Sequence, residues 1–164
     1  MSDEQILEDE SPVVGVLAAS PSELPVMRQA SLILEKLAIP HEVRIMSSSR
    51  NPDAVDLYAR TAFDRGLKVM ICSTGLSGHL AAAVAARTVL PVVGVPIAST
   101  PQMPGSEALA ITAQMPTGVP VATVGVDASV NAAVLAAQIV GVGDKDVQAR
   151  LWRFKDDLAE GLKL

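Results

Sequence analysis

The sequence contains little of what marks several large classes of protein. One cysteine among 164 residues excludes an internal disulfide bond. Aromatic residues make up 2% of the chain and the net charge is −5, so the stacking surface and basic face of nucleic-acid-binding proteins are missing. Residues 1–10 have neither the basic start nor the apolar core of a secretory signal. We therefore expect a protein of the reducing cytoplasm that does not bind nucleic acid.

Charge is also scarce in the middle of the chain. Between residues 88 and 143, only Glu107 and Asp127 are charged. Six prolines interrupt this stretch, which is too many for a membrane helix. So long an uncharged segment indicates burial against other copies of the chain, and we expect a homo-oligomer without a membrane span.

Acidic residues are concentrated at the amino terminus. Five acids occur there without a base: Asp3, Glu4, Glu8, Asp9 and Glu10. We expect residues 1–12 to form a flexible acidic tail. Residues 13–164 have a length that suits one domain with a well-buried core.

Apolar runs alternate with helical patterns from residue 13 onward. Strands are expected at 13–19, 41–46, 68–72, 91–95 and 119–126. Helices are expected from the N-cap Ser22 to about residue 39, and at 52–65, 80–88, 131–140 and 144–161. This alternation predicts a parallel sheet between two layers of helices, a three-layer α/β domain.

The last helix carries an apolar stripe with two interpretations. Its members recur at helical spacing: Val147, Leu151, Phe154, Leu158 and Leu162. We expect the stripe to dock on a neighbouring subunit, which would make this the oligomerisation helix of the domain; the alternative is that it packs on the sheet of its own chain.

Ligands of open parallel sheets bind beyond the carboxyl ends of the strands, so the turns that follow the strands are informative. Residues 19–23, 47–52 and 73–79 form three such turns, each joining hydroxyl residues to the start of a helix. The second turn adds Arg50, whose guanidinium group can hold a phosphate through two parallel bonds. Together the three turns predict a phosphate-binding site.

Each of these residues also has a simpler interpretation. Ser22, Ser47 and Asn51 are common helix-capping types, and Arg50 can serve as a surface ion-pair partner. Glu23 either lies beside a sugar hydroxyl or complements the positive end of its helix. Of the two histidines, His79 is the catalytic candidate because it follows the third turn.

The remaining residues of reactive type predict no further site. His41 is expected at the opposite end of its strand, in a structural role, and Cys72 as inert packing. Two histidines and one distant cysteine predict no zinc site. The phosphate-binding glycine motifs of dinucleotide and nucleotide enzymes are missing from the sequence.

Several longer motifs resemble one family. They are S-x-S-[DE] at 20–23, S-x-x-R-x-P at 47–52, a glycine turn ending in His79-Leu80, Gly94-Val95-Pro96, Q-M-P-x-G-V-P-V at 114–121 and N-A-A-x-L-A-A-Q-I at 131–139. Over about residues 13–155 the chain resembles the PurE family, the 5-(carboxyamino)imidazole ribonucleotide mutases and aminoimidazole ribonucleotide carboxylases of purine synthesis.

The resemblance implies a flavodoxin-like domain assembled as a homo-octamer. It implies active sites at subunit contacts, a phosphoribosyl aminoimidazole ligand, and neither a metal nor an organic cofactor. The residues that match the family's substrate contacts are Ser20, Ser22, Glu23, Ser47, Arg50, Gly75, Leu76 and Ser77.

The chain departs from the family pattern at chemically important positions. The family's second turn reads S-A-H-R-T-P, and its histidine carries the proton for carboxylate transfer, whereas Ser49 stands at that position here. A serine hydroxyl does not titrate near neutral pH, so Ser49 cannot carry that proton alone. The catalytic candidates are therefore Ser49, at the family's proton-carrier position, and His79, as an acid or base. Leu76 is expected to crowd the ligand's ring, Glu23 replaces the usual Asp, and Ala19 replaces the usual Gly of the first turn.

These departures leave three functions open. The first is a PurE-like protein that interconverts the two carboxylated aminoimidazole ribonucleotides. The second is an enzyme acting on a different phosphorylated ligand, with His79 as acid or base. The third is a binding or assembly protein that retains the fold without the reaction.

Overall fold

A computed structural model describes residues 11–75, 79–98 and 104–163. That part of the chain contains a parallel sheet with the strand order β2-β1-β3-β4-β5. The strands are β1 (Val14–Ala18), β2 (His41–Ile45), β3 (Val69–Thr74), β4 (Val92–Pro96) and β5 (Ala122–Thr123). The expected acidic tail at residues 1–12 lies almost wholly outside the described residues.

The helices connect successive strands and cover the sheet. They are α1 (Leu24–Lys36), α2 (Pro52–Thr61), α3 (His79–Ala85), α4 (Ser106–Ala113), α5 (Ser129–Gly141) and α6 (Lys145–Ala159), and a 3-10 turn (Pro21–Glu23) precedes α1. Among the described residues, no helix is both long and apolar enough to span a bilayer.

Side-chain alternation along the strands explains the three layers. Successive residues of a strand point to opposite faces of the sheet. Val16 and Ile71 therefore join one core cluster with α1, α5 and α6, whereas Leu17 and Cys72 join another with α2 and α3. All residues of β1, β3 and β4 are buried, as expected of parallel strands covered on both sides. The predicted flavodoxin-like three-layer fold is confirmed.

The register of β1 places three turns next to one another. β1 pairs with β2 and with β3, so that Ala18 lies opposite Ile45 and Leu17 lies opposite Cys72. Both pairings are parallel, and the carboxyl ends of the three strands therefore meet at one edge of the sheet.

Two predicted strand boundaries are wrong, and one helix was not predicted. β5 spans only Ala122–Thr123 instead of 119–126, since it pairs with β4 at these two residues alone and Pro120 has no N–H to donate. β3 continues beyond Cys72 through Thr74, so that Ser73 belongs to a strand and not to a turn. Helix α4 was not predicted. It begins after Gly105, whose φ is 89°.

The prediction that Ser22 caps the first helix is also wrong. Ser22 lies inside the 3-10 turn, and α1 begins at Leu24 with no side-chain cap hydrogen bond. By contrast, Asn51 caps α2, because its Oδ1 accepts a hydrogen bond from the N–H of Ala54 at 3.3 Å.

The apolar stripe of α6 packs within its own chain. Val147, Leu151 and Phe154 are buried in the same cluster as α5, and the later leucines of the stripe are partly buried against it. The opposite face of α6 carries Trp152, which is 67% exposed.

An ion cluster joins β2 to the end of α2. The Tyr58 hydroxyl and the Arg65 guanidinium each donate a hydrogen bond of 2.8 Å to Glu42 Oε1. Burial opposes ionisation of Glu42, but these hydrogen bonds and the charges of Arg65 and Arg44 outweigh it and lower the pKa of Glu42. Burial and the nearby carboxylate raise the pKa of Tyr58. The cluster thus holds the Tyr58 ring against β2 and the neighbouring strand β1.

Gly15 is required because of that fixed ring. A Cβ atom added at Gly15 would lie 2.5 Å from the Tyr58 hydroxyl oxygen and 2.8 Å from a Leu67 methyl group. Gly143 provides a contrast, since a Cβ there would meet no atom within 4 Å.

We predict that Gly15→Ala lowers the free energy of unfolding by about 1 to 3 kcal/mol, because the added methyl group must displace a hydrogen-bonded ring. Gly143→Ala is the matched control and should leave the stability unchanged or slightly raise it. Urea unfolding followed by circular dichroism measures both. Equal stability of the two variants would show that the Tyr58 ring moves without cost.

Candidate functional site

The backbone of Ala19 joins the first turn to the second turn and to the end of β3 at the carboxyl edge. Ala19 follows the last residue of β1, and its N–H lies 2.8 Å from Ser73 Oγ and 3.0 Å from Glu23 Oε2. Its carbonyl oxygen accepts a hydrogen bond of 2.9 Å from an Arg50 terminal nitrogen. One residue of the first turn thus contacts side chains of the second turn and of β3.

The first turn presents two hydroxyl groups and one carboxylate. Ser20 Oγ and Ser22 Oγ are 2.7 Å apart at the surface. The Glu23 N–H donates to the Ser20 carbonyl at 3.1 Å, which closes the 3-10 turn and brings the Glu23 carboxylate back over Ala19. The serine pair therefore lies beside the carboxylate at the carboxyl edge of the sheet.

The second turn is shaped by Ser47. Its Oγ accepts a hydrogen bond from the Arg50 N–H at 3.2 Å, and its carbonyl accepts one from the Asn51 N–H at 2.9 Å. The Arg50 side chain is exposed and, among the described residues, forms no ion pair. Its interpretation as a surface ion-pair partner is therefore not supported. Ser49 lies exposed in the same turn.

At the third turn, the geometry is set by the contact between Gly75 and Glu23. A Cβ atom at Gly75 would lie 2.8 Å from Glu23 Oε1, so a larger residue would displace the carboxylate. Leu76 and Ser77, both matched to the family's substrate contacts, lie outside the described residues. His79 is exposed at the start of α3. We call Ala19 and the three side chains that contact its backbone, those of Glu23, Arg50 and Ser73, the Ala19 cluster. No hydrogen bond within the described part of the chain links His79 to this cluster.

Two polar contacts beside the site were not predicted. Asp127 has a φ of 54°, and its Oδ1 accepts a hydrogen bond from the Ala98 N–H at 3.0 Å, which ties the residue after β4 to the turn after β5. Thr112 donates its hydroxyl proton to the Ala108 carbonyl at 2.6 Å and accepts a hydrogen bond of 2.7 Å from the Thr74 hydroxyl at the end of β3. Asp127 could have been identified as an aspartate after a strand, a residue type that tolerates the left-handed conformation.

His41 and Cys72, which are expected to be structural, lie away from the Ala19 cluster or inside the core. The Nδ1 of His41 lies 3.0 Å from the Ile39 carbonyl oxygen, at the amino end of β2. Cys72 is fully buried in β3, and burial raises the pKa of its thiol. Within residues 11–75, 79–98 and 104–163, no three histidine, cysteine or carboxylate side chains are placed to hold a metal ion.

A groove of about 380 Å³ lies next to the site, between α2 and α3. It shares the second turn with the site through Ser48, but its polar lining includes the carboxylates of Asp53 and Asp56. Asp56 is paired with Arg60 at 2.9 Å and with Arg87 at 2.8 Å. Two carboxylates face one guanidinium in this groove, that of Arg87, which is already paired with Asp56, so the Ala19 cluster is the better candidate for a phosphate.

The fold and the site together define a class of protein. It is a flavodoxin-like α/β protein whose hydroxyl, carboxylate and guanidinium groups converge at the carboxyl edge of the sheet. A family model described as AIR carboxylase matches residues 13–161. The chain belongs to the AIR carboxylase family, the PurE family of purine biosynthesis.

Individual relatives agree with this assignment. The chain is 41% identical over 152 residues to the N5-carboxyaminoimidazole ribonucleotide mutase of Pyrococcus horikoshii, covering 93% of this chain and 85% of that protein. It is 44% identical over 151 residues to the enzyme of the same name from Mycobacterium tuberculosis, covering 92% and 86%. A crystal structure of a variant of Treponema denticola PurE2 superposes with a TM-score of 0.82 at 22% identity, covering 92% and 93% of the two chains.

Proposed function

We propose that the chain binds a phosphoribosyl aminoimidazole at the carboxyl edge of the sheet. The observation that carries the proposal is the set of contacts to Ala19 from the first turn, the second turn and β3. It is supported by the two serine hydroxyls that the first turn carries beside Ala19 and by the Arg50 guanidinium bound to the Ala19 carbonyl. Hydroxyl and guanidinium groups at the edge where parallel sheets bind ligands suit a phosphate ester.

Arg50 is the charged group of the proposed phosphate site. Its hydrogen bond to the Ala19 carbonyl holds one terminal nitrogen, and its backbone N–H is held by Ser47. A guanidinium group oriented in this way loses less side-chain entropy when it binds an anion than a mobile one does.

The reaction of the family moves a carboxyl group from the exocyclic nitrogen of the ligand to a ring carbon. The carbon–nitrogen bond breaks, a carbon–carbon bond forms, and a proton leaves the ring carbon while the nitrogen gains one. In the family pattern a histidine carries that proton, and Ser49 takes its position here. We infer that this chain retains the ligand site and carries out the transfer slowly, about 10² to 10⁴ times below a member with the histidine.

The assembly follows from the same family membership. We propose a homo-octamer whose subunits meet through the nearly uncharged segment 88–143. In that segment α4 exposes Leu109 by 37% and Ile111 by 45%, and Val142 beyond α5 is 88% exposed. Covering such apolar side chains stabilises association.

We predict that Arg50→Ala lowers the affinity for ribose 5-phosphate by about 1.5 to 3 kcal/mol, through loss of a charge-assisted bond. Isothermal titration calorimetry measures the change. Arg153→Ala, at an exposed position of α6, is the matched control and should bind like the native protein. Unchanged affinity of the Arg50 variant would place the phosphate elsewhere.

The proton-carrier position is tested by restoring the histidine. We expect little carboxyl transfer by the native protein, a small measurable rate in Ser49→His, and a larger one when Leu76→Gly and Ser77→Ala are added. The reason is that a misplacement of about 1 Å costs about 10²-fold even when the catalytic group is present. Transfer is followed by the absorbance of the carboxylated nucleotide. Rapid turnover by the native protein would contradict the proposal that Ser49 slows the transfer, and would make His79 the candidate proton carrier.

For the assembly, we predict that light scattering gives a mass of about eight chains of 17.0 kDa at micromolar concentration. Ile111→Asp should shift the mass to smaller species, because it buries a charge in the proposed contact. The control is Leu32→Asp on α1, which is exposed by 55% outside the segment 88–143 and should leave the mass unchanged. A native mass near one chain would exclude the octamer.

A further inference from the structure

We propose that Ser73 is a positioning residue for Glu23, and that the two act as a coupled pair selecting ligands whose ribose carries its 2-hydroxyl group. The inference rests on the proposed function, because it concerns the sugar of the same phosphoribosyl ligand. It goes further by assigning the selection to a residue that contacts the ligand only through another side chain.

The three groups form a closed set of hydrogen bonds. The Ser73 hydroxyl donates to Glu23 Oε2 and accepts from the Ala19 N–H at 2.8 Å. The same Ala19 N–H also lies 3.0 Å from Glu23 Oε2. Ser73 has no exposed surface, so its hydroxyl cannot exchange these partners for water. Glu23 Oε2 is thus held by two donors.

The other carboxylate oxygen is directed toward the ligand side. Glu23 Oε1 is the atom that a Cβ at Gly75 would approach to 2.8 Å, so it lies against the start of the third turn. Within the described residues, no hydrogen bond to this oxygen is present. An ionised carboxylate oxygen accepts hydrogen bonds only, and a sugar hydroxyl is the donor that a phosphoribosyl ligand brings.

Both residues differ from the family pattern. Glu23 stands where that pattern has Asp, and Ser73 stands at the first glycine of its glycine turn, G-A-G-G-A-A-H-L-P-G. Glutamate has one more rotatable bond than aspartate and loses more conformational entropy when it is held in place. The Ser73 hydroxyl supplies the contact that holds the longer side chain, and a glycine at position 73 has no side chain to do so.

The experiment measures binding of three probes: ribose 5-phosphate, 2-deoxyribose 5-phosphate and inorganic phosphate. We expect the native protein to prefer ribose 5-phosphate over its deoxy analogue by about tenfold, the value of one hydrogen bond to a charged group. Ser73→Ala should remove most of this preference and leave the affinity for inorganic phosphate unchanged. A merely structural role of Ser73 would weaken binding of all three probes alike.

Coupling is tested with Glu23→Asp, Ser73→Gly and the double variant, all measured with the same probes. The double variant has the family's pair of residues, and its preference for ribose should exceed that of either single variant. Additive losses would overturn the coupling, and a Ser73→Ala variant with the native preference would overturn the positioning role. Failure of the native protein to bind ribose 5-phosphate or inorganic phosphate would instead refute the proposed function and the inference with it. Circular dichroism confirms that each variant is folded.

Discussion

The site depends on the end of the central strand, where the backbone of Ala19 leaves the sheet. Up to Ala18, the polar backbone groups of β1 are used in pairing with β2 and β3. At Ala19 the backbones of the neighbouring strands no longer supply these partners, and side chains replace them: Ser73 of β3 and Glu23 of the first turn for the N–H, and Arg50 of the second turn for the carbonyl. The need to satisfy the backbone polar groups of one residue thus brings together the residues of the candidate site.

The same constraint explains why the polar groups of the site are well oriented although most are exposed. Arg50 is attached to the first turn through Ala19, and Ser47 supports its backbone. Glu23 is held from the other side by Ser73, which the sheet buries completely. A phosphoribosyl ligand would therefore meet groups whose ordering cost is already met in part by folding. Ser49 lies in the same turn and takes no part in these contacts.

The nearly uncharged segment 88–143 contributes both to the core and to the surface of the domain. The segment 88–143 supplies β4, β5 and α5 to the core, and the surface that remains is apolar at α4 and beyond α5. The stripe on α6 does not contribute its apolar side chains, since they are buried against α5 of the same chain. In the proposed octamer, α4 and the end of α5 are therefore the surfaces that meet a neighbour.

The sequence by itself determined the layered α/β fold, because runs such as Val13 to Ala19 are apolar on both faces and only a sheet covered on both sides buries them. Its turns also indicated Ser20, Arg50 and Glu23 as candidate site residues, since their chemistry and position after strands are visible locally. Only the tertiary structure decided that Ser73 belongs to β3 and holds Glu23, that Asp127 binds the Ala98 N–H, and that β5 is short. These features depend on which backbone groups lack a partner once the strands pair, and that pairing joins residues about 30 to 50 positions apart, which no local pattern records.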